Sequence, residues 1–270
     1  MKKTMKILSQ VFPGTTASFA FNKFANPQIR KLRPQEEEYL NTASKEVINI
    51  NGFSIQTYHW GHGPKQLLLV HGWEGQTANF AEIIHRLSKD EYTIHGFDAP
   101  SHGHSSRGKT SIFAFTGLVD HFVKRYQIKY IVSHSYGGAP ALLALSRNQS
   151  LSIDKFLLFT TFDRFNDTFN DFISKNGLSN GAKERLKKKI ERNFNASVES
   201  LNVSDMVKEV NVEKAQIFHD KNDKIIPITF AKAVSDHWNN ASLEIVEGTG
   251  HYRILKTSTV IDKAINFLNE

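Results

Sequence analysis

The sequence contains no cysteine. That excludes disulfides, a thiolate metal site and a cysteine nucleophile, and it fits a reducing compartment. Long hydrophobic runs are missing as well, so no transmembrane helix is expected. The start, Met1-Lys2-Lys3, has the charge of a signal peptide. However, Ile7 to Ala20 is broken by Ser9, Gln10, Pro13, Gly14, Thr15 and Thr16, too polar for its apolar region. A cytoplasmic protein is expected. Neither an internal repeat nor a low-complexity tract is found, and no nucleic-acid-binding motif accompanies the net charge of +7 and pI of about 9.4. The basic balance is read as solvated surface, with a membrane partner the less favoured reading.

What is present is ordinary globular material with 20 phenylalanines in 270 residues, enough for a large aromatic-rich core. Residues 1–44 form an N-terminal extension. Within it, Pro34 followed by Gln35-Glu36-Glu37-Glu38 suits the first turn of a helix, where acidic side chains meet the positive end of the dipole. Asn51-Gly52 between residues 46–50 and 53–59 marks a hairpin. Strands and helices then alternate: strands at 66–70, 92–97, 129–132 and 155–160, and helical spacing at 80–87, 112–126 and 138–147. Over 162–208 the pattern becomes purely helical, with stripes of Phe162, Phe165, Phe169, Phe172 and Ile173 and then Leu186, Ile190 and Phe194. Alternation resumes with strands at 215–219 and 243–246, a loop at 248–252 and a last helix at 260–268. The pattern predicts an α/β fold with a mostly parallel central sheet, helices on both faces, and a helical insertion. Residues 45–161 and 209–270 make the core of what is a single structural domain overall, with 162–208 as a helical lid.

In such sheets ligands gather at the carboxyl ends of the strands. The residues that follow successive strands here are His71-Gly72-Trp73, Asp98, Ser135, Asp163, Asp223 and His251. A serine, several acids and a histidine on one rim supply a nucleophile, a base and a group to orient the base. Ser135 lies between a strand and an Ala/Leu-rich helix, in Ser133-His134-Ser135-Tyr136-Gly137-Gly138, where a sharp turn lifts its hydroxyl out of the sheet.

Five stretches carry a resemblance. The Ser133–Gly138 segment resembles the Gly-His-Ser-x-Gly-Gly nucleophile elbow of the α/β-hydrolase-fold serine hydrolases. His71-Gly72 resembles their oxyanion loop, and Asp98-Ala99-Pro100-Ser101-His102-Gly103-His104-Ser105 their Asp-x-Pro-Gly-x-Gly-x-Ser loop. His219-Asp220-Lys221-Asn222-Asp223 through Pro227 resembles their acid loop, and Gly250-His251 their histidine loop. Two positions depart from the pattern: Ser133 and Ser101 each stand where the family has glycine. The resemblance implies Ser135 as nucleophile, His251 as base, and Asp223 as acid with Asp163 as the alternative. Backbone N–H groups of Tyr136 and Trp73 would form the oxyanion hole. Asp98, His71 and His134 would be structural. His102 and His104 lack a nearby acidic partner and are not read as metal ligands. The implied activity is hydrolysis of small to medium, fairly apolar carboxylic esters without a cofactor. Thioesterase, lipase, amidase, C–C hydrolase and perhydrolase chemistry stay open, as does a non-catalytic ligand-binding protein on the same fold.

Overall fold

In the computed structural model, residues 2–27, 32–194 and 197–270 are described. Residues 28–31, inside the expected extension, and 195–196, inside the expected insertion, lie outside them. The elements run α1 (Lys2–Val11), α2 (Pro13–Phe24), α3 (Pro34–Leu40), β1 (Ser44–Ile50), β2 (Phe53–Trp60), β3 (Lys65–Val70), α4 (Ala81–Arg86), β4 (Tyr92–Phe97), α5 (Ile112–Tyr126), β5 (Tyr130–His134), α6 (Gly138–Ser146) and β6 (Ser152–Phe159). Then come α7 (Phe165–Asn176), α8 (Asn180–Phe194), α9 (Val203–Met206), β7 (Asn211–Asp220), α10 (Ile228–Asp236), β8 (Ala241–Val246), α11 (Gly250–Arg253) and α12 (Ser258–Asn269).

The eight strands form one sheet in the order β1-β2-β4-β3-β5-β6-β7-β8. β2 is antiparallel to both neighbours and every other pairing is parallel. The β1–β2 hairpin closes on Asn51 and Gly52, with φ of 51° and 81°, the left-handed pair that a two-residue turn of this twist requires. The central strands bury both faces, which is why they appear in the sequence as unbroken apolar runs. Leu67, Leu69, Val132 and Leu157 join a core with residues of α4 and α12 such as Ile83, Ile84, Ile261 and Ala264. Their alternates Leu68, Val70, Ile131 and Leu158 are equally buried, on the opposite face of the sheet.

Two compact units divide the chain. One comprises Ile29–Asp163 and Val203–Glu270 and contains the sheet. The other comprises Met1–Gln28 and Arg164–Asn202, so α1 and α2 belong with α7 and α8. In this helical unit Phe24 meets Phe165, Phe169 and Phe172 edge-on, with ring centroids 5.9, 6.5 and 5.2 Å apart. The Ser179 N–H donates to Ser9 Oγ (2.8 Å), and Ser179 Oγ donates to the Ser9 carbonyl (2.6 Å). The residue 1–44 segment is thus shared: α3 lies in the sheet-containing unit and α1–α2 in the helical one.

Between β2 and β4, His59 and His95 touch through their Nδ1 atoms at 2.9 Å, and His95 Nε2 donates to Gln66 Oε1 at 2.7 Å. Burial, with His59 alongside, pushes the His95 pKa down to about 3. A folded-state pKa below the unfolded value of about 6.5 means that the unfolded chain takes up the proton first. The stabilisation is complete above that value and is lost as pH falls toward 3. We predict that lowering the pH from 7 to 5 costs about 2 kcal/mol at this residue. Urea unfolding at the two pH values should show that dependence flattened in His95→Gln, and an unchanged slope would count against it.

Candidate active site

The centre of the site is the turn that leaves β5. Ser133 and His134 are still in the strand, paired with Leu158 and Phe159 of β6; the strand runs two residues beyond the predicted end at Val132. Ser135 then takes φ of 54°, the left-handed region that residues with a Cβ seldom enter. Its N–H is held by the Thr160 carbonyl at 3.1 Å. Glycines make the turn possible by close approach. A Cβ on Gly137 would overlap the carbonyl oxygens of Val70 and His71, and one on Gly72 would lie 3.2 Å from the Ser135 Cβ. The His71-Gly72-Trp73 loop is therefore packed directly against the elbow.

Two further side chains come from the segments that follow β7 and β8. His251 lies in α11, a helical turn where the sequence predicts a plain loop. Its Nδ1–H donates to Asp223 Oδ2 at 2.8 Å, which leaves Nε2 as the ring's acceptor. Both side chains are almost wholly buried. Burial alone would raise the Asp223 pKa. Hydrogen bonds from His251 and from the Ile226 and Ile225 N–H groups outweigh it and hold the carboxyl below its usual range. His134 Nε2–H donates to the His251 carbonyl at 2.9 Å and so ties the residue before Ser135 to the histidine turn. Burial above all, with His251 beside it, brings the His134 pKa down to about 3 and keeps that ring neutral.

Asp163 is bonded at the start of α9. It is buried, and its Oδ1 accepts from Ser204 N–H at 2.8 Å while its carbonyl accepts from Val203 N–H at 2.9 Å. It therefore caps the start of α9, not the first helix of the insertion, whose N-cap position is Arg164. Of the two acids left open by the sequence, Asp223 is the one on His251.

Trp73 and Tyr136 meet edge-on, with ring centroids 5.4 Å apart, and Tyr136 stacks on Phe162 at 6.1 Å. The Tyr136 N–H is in the first turn of helical structure after β5, where amides have no acceptor within the helix. Trp73 lies in a turn closed by Gly75 N–H to Gly72 O at 3.0 Å. His71 supports that loop: Nδ1–H donates to Gly72 O (2.8 Å) and Nε2 accepts from Ala99 N–H (3.0 Å). His102 does the same from the next loop, accepting from Glu74 N–H (3.1 Å) and donating to Pro100 O (3.0 Å). His104 Nδ1–H donates to Tyr58 Oη (2.8 Å), whose own hydroxyl donates to Asp98 Oδ2 (3.0 Å). Asp98 also accepts from Thr77 and His104 N–H groups, both at 3.0 Å, and so fixes its loop. Contrary to the expectation from the sequence, His104 has acidic neighbours, Glu37 at 3.2 Å and Asp98 at 3.9 Å; His102 and His104 are engaged in loop architecture, and no cluster of three or more metal-ligating side chains is found among the described residues.

Both departures from glycine are visible. Ser101 sits at φ of 68°, and its hydroxyl is bonded across the loop to Gly108, with Gly108 N–H donating at 2.8 Å. Ser133 is fully buried and extended, and among the described residues its hydroxyl has no partner. Gly138 lies beside it: a Cβ there would be in ordinary contact with Ser133 Oγ at 3.5 Å and would overlap the Leu158 side chain.

Two further residues hold the site together although the sequence pattern assigns them no part in it. Asp220 comes too early in its loop to orient the histidine, and it is buried. Its Oδ2 accepts from Thr249 N–H (2.6 Å), Thr249 Oγ1 (2.9 Å) and Gly250 N–H (2.8 Å), and its Oδ1 from Asn222 N–H (2.8 Å). One carboxylate thus clamps the acid loop to the histidine turn. Its signal in the sequence is an acidic residue where the family motif has glycine. Thr160, at φ of 51°, is a β-branched residue in the left-handed region, and it supplies the carbonyl that holds Ser135. Nothing in its sequence context marks it.

Among known proteins, the α/β hydrolase fold model matches residues 65–177. A pimeloyl-[acyl-carrier protein] methyl ester esterase of Stenotrophomonas maltophilia (strain K279a) is 44% identical over 52 residues, 19% of each chain. The hydrolase YugF of Bacillus subtilis (strain 168) is 29% identical over 110 residues, 38% of this chain and 40% of its own. The matches thus span less than half the length of these curated relatives. A lipase-esterase related protein from Clostridium acetobutylicum ATCC 824 superposes with a TM-score of 0.59 at 20% identity, over 79% of this chain and 99% of that one.

Asp220→Ala should lower unfolding stability by about 2–3 kcal/mol, because it strands four donors that a buried carboxylate now satisfies. Ser133→Ala should do the opposite and raise it by about 1 kcal/mol, by deleting a buried hydroxyl without a partner. Denaturant melts of the two variants check both signs.

Proposed function

We propose that this chain, which has the α/β-hydrolase fold, is a serine hydrolase of small to medium, fairly apolar carboxylic esters. The observation that carries the reading is the 2.8 Å pair of His251 Nδ1 with buried Asp223, tied through His134 to the strand-to-helix turn that holds Ser135 at φ of 54°. In this reading Ser135 Oγ attacks the ester carbonyl carbon while His251 Nε2 takes its proton. Asp223 keeps the proton of the neutral ring on Nδ1 and stabilises the imidazolium that forms. The carbonyl oxygen becomes an oxyanion facing the Tyr136 and Trp73 N–H groups. His251 then returns the proton to the departing alcohol, leaving an acyl group on Ser135. Water enters, giving a proton to Nε2 and a hydroxyl to the acyl carbon; Nε2 then returns that proton to Ser135 Oγ as the Oγ–acyl bond breaks and the acid leaves. Burial keeps His134 neutral, so it puts no second cation beside His251.

The esterase among the relatives supports an ester substrate, and the aromatic walls Trp73, Tyr136 and Phe162 suit an apolar group. The test combines a fluorophosphonate probe with p-nitrophenyl esters graded by acyl length. Labelling should occur at Ser135 and vanish in Ser135→Ala, with kcat lowered by about 10³-fold or more. Asp223→Asn should lower kcat by up to about 10⁴-fold through the wrong tautomer, while Asp163→Asn should leave turnover near the parent's. Retained labelling and turnover in Ser135→Ala would overturn the assignment. A preference for thioesters or for long acyl chains would move the substrate class and leave the three residues in place.

A further inference from the structure

The formal charge of +7 is not spread over the chain. The helical unit carries twelve Lys and Arg against five Asp and Glu, and the sheet-containing unit has twenty-two of each. The whole excess therefore belongs to α1, α2, α7, α8 and their connections. The same unit holds five of the large apolar side chains that are most exposed: Ile7 at 62%, Leu8 at 46%, Val11 at 61%, Phe12 at 57% and Phe19 at 59%.

The polarity of α1 is inverted for a helix that packs on a protein. Its sequence is amphipathic, with Ile7, Leu8, Val11 and Phe12 at helical spacing on one broad face and Lys6, Ser9 and Gln10 on the other. A globular helix turns its apolar face inward. Here the buried residue is polar Ser9, bonded to Ser179 at the start of α8, and the apolar face is in solvent. Beside it lies basic charge. Arg185, Lys188 and Arg192 of α8 are exposed and share a face at i, i+3 and i+7. The Arg185 guanidinium lies 3.9 Å from where a side chain on Gly14 would begin, two residues past Phe12.

We propose that the α1–α2 segment is an interfacial anchor that lays its apolar face into the surface of an anionic lipid bilayer, with the exposed arginines and lysine of α8 against the headgroups. An apolar patch bordered by cationic side chains fits a surface that is hydrocarbon beneath and negative on top. A protein partner would have to match both features at fixed positions, whereas a bilayer supplies them everywhere. No helix among the described residues is long and apolar enough to cross a membrane, so the contact is one of lying on the surface.

The test is co-sedimentation of the full chain with vesicles of phosphatidylcholine alone or of phosphatidylcholine with phosphatidylglycerol, scored by bound protein independently of any activity. Binding to the anionic vesicles should exceed binding to the neutral ones by at least about tenfold and weaken as salt is raised. The Val11→Glu/Phe12→Glu double variant and the Arg185→Glu/Lys188→Glu double variant should each abolish it. All four positions are exposed, and circular dichroism checks that the variants remain folded. In a separate Phe12→Trp chain, the emission of the added indole should shift to the blue and be quenched by brominated lipid only with anionic vesicles. Absence of binding to either vesicle, equal binding to both, or an added indole that brominated lipid leaves unquenched would each overturn the proposal. So would concentration-dependent self-association without lipid that the Val11→Glu/Phe12→Glu change removes, since a second copy would then be the occupant.

Discussion

The turn after β5 is held left-handed at Ser135 because three stretches of backbone approach too closely there to admit side chains. The Val70 and His71 carbonyls, the Gly137-Gly138 start of α6 and the Thr160 carbonyl enclose it. A backbone in that region costs on the order of 1 kcal/mol or more for a residue with a Cβ, and the rigid sheet on either side supplies the constraint. Every other group at the site is placed relative to that turn. His134 reaches across to the His251 carbonyl, Asp220 clamps the two loops after β7 and β8, and His71 and His102 brace the loop after β3.

These braces share a design in which neutral histidines donate from one ring nitrogen and accept, or face away, with the other. Burial depresses the pKa of His71, His134 and His219 alike. A charged imidazole would lose its acceptor role at His71, and at His134 or His219 it would put an unsolvated cation close to His251. Carboxylates show the reverse pattern: Asp220 and Asp223 are buried yet held below the usual carboxylate range by the donors around them. The site is therefore a set of neutral rings and buried, hydrogen-bonded carboxylates, with His251 bonded to one of them.

The sheet was legible in the sequence because strands buried on both faces leave unbroken apolar runs, and Asn51-Gly52 marks its hairpin directly. Strand ends were less so. β6 begins at Ser152 and β7 at Asn211, in polar residues whose backbone pairing leaves no hydrophobic trace. The helical stripes of residues 162–194 announced apolar faces but could not say that α1 and α2 would be their partners, since a stripe has no address. Asp163 and Asp223 are each an acid after a strand, and the resemblance of residues 219–227 to an acid loop is what favours Asp223; in the fold Asp223 meets His251 while Asp163 accepts from Ser204. Asp220 and Thr160 were missed for a related reason. Their contribution is made through hydrogen bonds to backbone groups distant in sequence, and backbone groups carry no residue identity.

From β5 onward the order of strands in the sheet is the order in which they are translated, so β6, β7 and β8 each pair with the edge left by the strand before. Such a sheet can grow during synthesis without opening an existing strand pair. Asp223 and His251 arrive on the two outermost additions. Both are therefore translated well after the Ser135 turn that β5 carries, and the 2.8 Å pair between them forms only once β7 and β8 have been added to the sheet.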